Sequence, residues 1–167
     1  MGARDERFGH VRVEVDRATG LVEVSGVAVP RVLLRRRGAE PCSARFPIGT
    51  RDPARLDLLA AGHRWVVAPA RGGLTRRSHR VEARRGAVRL RLVPCASGRS
   101  RLLRDGRELG QLRSVPHSGS NPEVSARWRP SGRVEPVDAA VGYALAAGFG
   151  TGARPWFARL VTALVRG

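Results

Sequence analysis

Asp138-Ala-Ala-Val-Gly-Tyr-Ala-Leu-Ala-Ala147 is the stretch on which the fold turns. Asp138 can cap a helix, and the residues that follow are apolar on every side of the helical wheel. A helix with no polar face must be hidden inside protein or meet lipid. The uncharged run continues to Ala153, about 15 residues, short of the roughly 20 a spanning helix needs. The stretch therefore reads as a helix over 138–147, buried by whatever the rest of the chain builds.

The rest of the chain is written in strands. Val11, Val13 and Val15 alternate with Arg12, Glu14 and Asp16, the period of a half-buried strand. Ala18-Thr19-Gly20 turns the chain into Leu21-Val22-Glu23-Val24 as a hairpin. Residues 31–35 form a strand that Pro30 confines to an edge or to a start at its first residue. Further strands are expected at 63–68, 78–83, 87–93, 102–103, 109–112 and 124–129. Arg84-Arg85-Gly86 and Asp105-Gly106 supply hairpin turns, the second with strong turn chemistry. Asp52, Pro53 and Gly62 suggest a short helix over 53–61, with Leu56, Leu59 and Ala60 as its buried stripe. After a break at Gly148–Gly152, Pro155 opens a second helix with Trp156, Leu160, Val161 and Leu164 on one side. The fold class expected is mostly β: an antiparallel barrel or sandwich of roughly 8–10 strands, with a buried apolar C-terminal helix and a second terminal helix.

At 167 residues, 42% hydrophobic and 27% charged, the chain is one ordinary domain, 1–167, with residues 1–136 mainly β and 137–167 helical. Aromatics are 5%, so the core must be Val, Leu and Ala. The formal charge is +17, and all 31 cations are Arg. High-GC bacterial coding accounts for Arg in place of Lys, but not for the excess of cations over acids. That excess is uneven. Residues 58–104 hold 12 Arg against Glu82 alone, a net of +11, while each flank carries +3. A field of this sign draws phosphate-bearing partners over about 8–10 Å at ordinary salt.

No catalytic motif accompanies the charge. His10, His63, His79 and His117 stand at no metal-ligand spacing, so no metal and no cofactor is expected. There is no phosphate loop, nucleophile elbow or dinucleotide fingerprint. Cys42 and Cys95 read as isolated thiols. The N-terminus carries no secretory pattern, so the expectation is a cytoplasmic protein, peripheral to the inner face of the membrane, with no transmembrane span. The reading is a non-catalytic binding module, with an enzyme that carries no recognisable motif as an alternative. Arg76, Arg77, Arg80, Arg84, Arg85, Arg89 and Arg91 are the module's candidate anion-binding residues. Arg89 and Arg91 share one strand face. The partner is an anionic lipid surface or another polyanion, with nucleic acid the rival. Trp156 and Phe157, flanked by Arg154 and Arg159, are candidate membrane anchors. The bland alternative is a solvated sheet face.

Residues 74–149 also resemble the tubby-like barrel group, which includes the LURP-one-related and phospholipid-scramblase-like proteins. The likeness rests on the succession of short alternating strands. It rests also on the hairpin Leu102-Leu103-Arg104-Asp105-Gly106-Arg107-Glu108-Leu109-Gly110-Gln111-Leu112, and on the late apolar helix. The resemblance implies that this helix threads a twelve-stranded barrel. It transfers no phosphoinositide-binding residue.

Overall fold

The computed structural model describes residues 2–39, 46–71, 75–96, 98–116 and 121–152. Eleven strands form one antiparallel sheet in sequence order. They are β1 (Gly2–Asp5), β2 (Gly9–Asp16), β3 (Leu21–Gly26), β4 (Val32–Arg36), β5 (Leu56–Ala60) and β6 (His63–Pro69), then β7 (Val81–Arg85), β8 (Val88–Ala96), β9 (Arg99–Arg104), β10 (Arg107–Val115) and β11 (Glu123–Trp128). The sheet curls until β11 lies beside β1, a nearly closed barrel. The helix α1 (Pro136–Phe149) runs through its centre.

Alternation in the strands explains the curl. Val11 and Val13, Val22 and Val24, Val32 and Leu34, Leu90 and Leu92 point inward, each 2% exposed or less. Every residue of α1 from Asp138 to Phe149 is buried, and strands β2–β5 and β7–β11 all pack on it. A fully apolar helix finds a dry surface on all sides only inside such a shell. Small residues let the shell close tightly. A Cβ added at Gly142 would stand 2.7 Å from Leu102 Cδ2, and one at Gly148 would stand 2.8 Å from Leu34 Cδ2.

Several expectations need correcting. Asp52 does accept a hydrogen bond from Ala54 N, and Pro53 does open a helical turn, but the turn ends at Arg55. Leu56, Leu58 and Ala60 are buried in alternation, so 56–60 is strand β5, not the second half of a helix over 53–61. The strand ladder offers these residues a full set of backbone partners on β4. Ala61 and Gly62, both at positive φ, are the two-residue turn that pairs Ala60 with His63. With β1, too short to show a period, this makes eleven strands rather than 8–10. Strand β4 is central, not an edge. Residues 78–79 belong to a single helical turn, Arg76–His79, ahead of β7. Arg84 and Arg85 are strand residues, and Gly86-Ala87 is the turn. Asp105 (φ 50°) and Gly106 (φ 85°) form the turn the sequence indicates. The helix starts two residues earlier than read. Glu135 is its cap, and Asp138, in the first turn, accepts the Glu135 N–H at 3.1 Å. The second terminal helix expected within 137–167 lies outside the described residues.

Candidate anion-binding surface

Three polar devices hold the barrel shut and leave its outer wall as the chemical surface. The first is at the seam. Eleven strands of alternating direction leave β1 and β11 running the same way, and among the described residues no backbone ladder joins the two. Side chains do the joining. Asp5, 3% exposed, accepts from Arg7 N, Phe8 N, Trp128 Nε1 on β11 and Tyr143 Oη on α1. Asn121 Oδ1 accepts from Val15 N at 2.7 Å.

The second device is Arg104, which reaches inward to donate to Asp138 Oδ2 at 2.8 Å. Burial pushes the Asp138 carboxyl up, and the Arg104 guanidinium opposes that shift. The third is at the far end of α1. The Arg51 guanidinium lies 5.0 Å from the Phe46 ring centroid and 5.7 Å from that of Phe149. Burial lowers it to about 10, well above neutrality, so it keeps its charge. Arg36, 7% exposed, donates to Ile48 O, and Ile48 N donates to Gly148 O of the helix. Carboxylates near the helix N-terminus and guanidiniums near its C-terminus match the helix dipole.

The outer wall is divided by charge. On β2–β5 the outward residues include Arg12 and Arg35 against Glu14, Glu23 and Asp57. On β6–β11 they include Arg64, Arg84, Arg89, Arg91, Arg99, Arg101, Arg113 and Arg127 against Glu82, Glu108 and Glu123. Exposed Val66 stands among them, paired in register with Arg84.

The sequence-chosen arginines distribute as follows. Arg84, Arg89 and Arg91 converge on Glu82, at 3.3, 3.5 and 3.2 Å. Arg84 and Arg89 face each other across the ladder, as do Glu82 and Arg91. Arg85 shares its alternation with buried Val81 and Ala83, so it projects at the barrel rim rather than from this wall. Arg80 precedes β7, and its carbonyl accepts from Ala70 N and Arg51 Nη2. Arg76 and Arg77 lie in the turn before β7. Trp156 and Phe157 are outside the described residues. Arg99 and Arg101 lie within the cationic 58–104 stretch read from the sequence, though not among the seven candidates, and Arg113 and Arg127 were missed. Arg113 and Arg127 fall outside the 58–104 window, and only strand pairing brings them to it.

Two cavities are small or open. One, about 440 Å³, is lined by Arg4, Asp5, Glu6 and Gly9, and its carboxylate Asp5 is already engaged. The other, about 50 Å³, lies at the seam between Gly2, Ala3, Val13 and residues 121–124. Cys95 Sγ donates to Arg99 O at 3.7 Å. Among the described residues no group of His, Cys, Asp and Glu could hold a metal, and no helix is long and apolar enough to cross a membrane. No protein-family model, curated protein or solved structure matches the chain.

Proposed function

We propose that the protein is a non-catalytic binding module that lays its β6–β11 wall against an anionic phospholipid surface. The observation that carries this reading is the division of the wall, balanced on β2–β5 and strongly cationic on β6–β11. Arg suits the role because its planar fork engages phosphate oxygens in pairs. Each Arg near an anionic leaflet contributes about 1 kcal/mol, and the effect fades within a Debye length. The resemblance of residues 74–149 to the tubby-like group, which includes phospholipid-scramblase-like proteins, is what favours lipid among anionic partners. Trp156 and Phe157 would add an interfacial anchor beside Arg154 and Arg159. The protein would then be peripheral to the membrane.

The test is sedimentation with phosphatidylcholine vesicles, with and without phosphatidylserine, at low and physiological salt, alongside duplex DNA and single-stranded RNA. Binding is expected only with phosphatidylserine. Arg89→Ala/Arg113→Ala should weaken it far more than Arg12→Ala/Arg35→Ala on the balanced wall. Equal losses from the two pairs would show that total charge, not the wall, is responsible. Preference for nucleic acid, with the steep salt dependence of counterion release, would replace lipid with that partner.

A further inference from the structure

We infer that Arg99, Arg101, Arg113 and Arg127, grouped around Gln111 on the outer face of β9–β11, form the site at which the wall binds a phosphate group. This assignment rests on the reading that the wall meets an anionic surface, and it names which arginines make the contact.

Strand register builds the group. Gln111 pairs with Arg101 on one side and Arg127 on the other, so these three lie in one row across the sheet. Two residues along, Arg113 pairs with Arg99 and with Ser125. Rows on the same face are about 7 Å apart and neighbouring strands about 4.8 Å. Four guanidiniums, an amide and a hydroxyl therefore share a patch that one phosphate and its neighbour can span.

The group differs from the Glu82 cluster in what opposes it. Arg84 and Arg89 are also like charges directly across a ladder, but Glu82 lies between them. Arg99 and Arg113 face each other with no acid on either. Like charges in that position are destabilising. Among the described residues Arg99, Arg113 and Arg127 make no side-chain hydrogen bond or ion pair. Arg101 comes only within 3.7 Å of Glu108, and its Nε is shielded from water with no partner. Glu123 sits one pair further on, opposite Val115, and makes no ion pair with them. A polar set left unpaired at a cost is what a site for an external anion requires. Gln111 and Ser125 add neutral donors that a merely solvated charge face does not need.

The outer wall of a barrel is convex, and none of these residues lines either cavity described above. A single free phosphate would be held weakly. The geometry suits phosphates presented side by side at an interface, the headgroups of anionic lipids.

The experiment uses the full chain and two probes, inorganic phosphate followed by NMR and phosphatidylserine-containing vesicles followed by sedimentation. Phosphate is expected to shift the Gln111 and Ser125 amides, where chloride at equal ionic strength does not. Arg113→Ala/Arg127→Ala should abolish those shifts and weaken vesicle binding about 30-fold, at roughly 1 kcal/mol for each Arg. Arg84→Ala/Arg89→Ala should cost clearly less. Circular dichroism checks that both variants fold. Equal losses from the two pairs would overturn the assignment and leave the wall reading intact. Phosphate shifts at Gln111 without vesicle binding would keep the phosphate contacts and overturn the membrane. Neither response in the wild-type chain would overturn both.

Discussion

Tyr143, halfway along the central helix, donates its phenolic hydrogen to Asp5 of the first strand at 2.7 Å. Trp128 Nε1, on the last strand, donates to the same carboxylate at 2.8 Å. One buried acid thus ties the two edges of the sheet to each other and to the helix they enclose.

Asp5→Ala should cost at least about 3 kcal/mol, because it strands the Trp128 and Tyr143 donors and two backbone amides in the interior. Tyr143→Phe removes one bond and leaves Asp5 its other three donors, so about 1–2 kcal/mol is expected. Urea denaturation compares the two. Burial, and then the hydrogen bond to Asp5, hold the Tyr143 phenol above its ordinary value. In the unfolded chain it ionises near 10. Its contribution is complete below that pH and is lost as pH rises beyond it. Wild type should therefore lose stability above about pH 10 more steeply than Tyr143→Phe. Parallel alkaline profiles would show that the phenol is not held in this way.

Arg104→Ala removes the cation facing Asp138, which is 0% exposed. A buried carboxylate without its partner costs about 3–5 kcal/mol. Burial already raises the Asp138 carboxyl, and losing Arg104 raises it further. A carboxyl with a raised folded-state value favours folding below its unfolded value and loses that advantage as pH rises through the folded one. The deficit of the variant should be larger at pH 8 than at pH 5. Thermal melts at the two values check the sign, and a deficit that grows on acidification would contradict it.

Leu145→Asp places a charge in the centre of the barrel, where Leu145 is 0% exposed. A buried charge of this kind costs several kcal/mol, so the domain should not fold. A cooperative melt near the wild-type temperature would contradict burial of α1.

Arg113→Thr relieves the repulsion with Arg99 and puts a good strand former on β10. Stability should rise by about 0.2–1 kcal/mol, a gain of up to roughly 4 °C in a domain of this size. The same substitution removes one of the proposed phosphate ligands. A gain in melting temperature with a loss in vesicle binding would mark the residue as kept for contact. A loss of both would mark it as structural.

The alternation of Val11, Val13 and Val15, the turn at Asp105-Gly106 and the apolar run from Ala139 were enough to read strands, a hairpin and a buried helix. Residues 56–60 were misread because Leu56, Leu59 and Ala60 fit a helical stripe as well as Leu56, Leu58 and Ala60 fit a strand. Five residues cannot separate the two periods. Pairing with β4 decided between them. Of the candidate site, Arg89 and Arg91 were legible as one strand face.

The sequence alone determined that α1 must be enclosed, because a helix without a polar face has no stable place in water. It also determined the excess of cations, which is a matter of composition. Only the tertiary structure decided which cations meet. Arg99, Arg113 and Arg127 are separated by 14 residues at each step along the chain, and they become neighbours because β9, β10 and β11 pair in register. The seam was equally invisible, since Asp5 and Tyr143 are 138 residues apart and meet only when eleven strands curl around one helix. A side chain's partners across a sheet are set by register, and register is fixed by which face of every strand the core must bury.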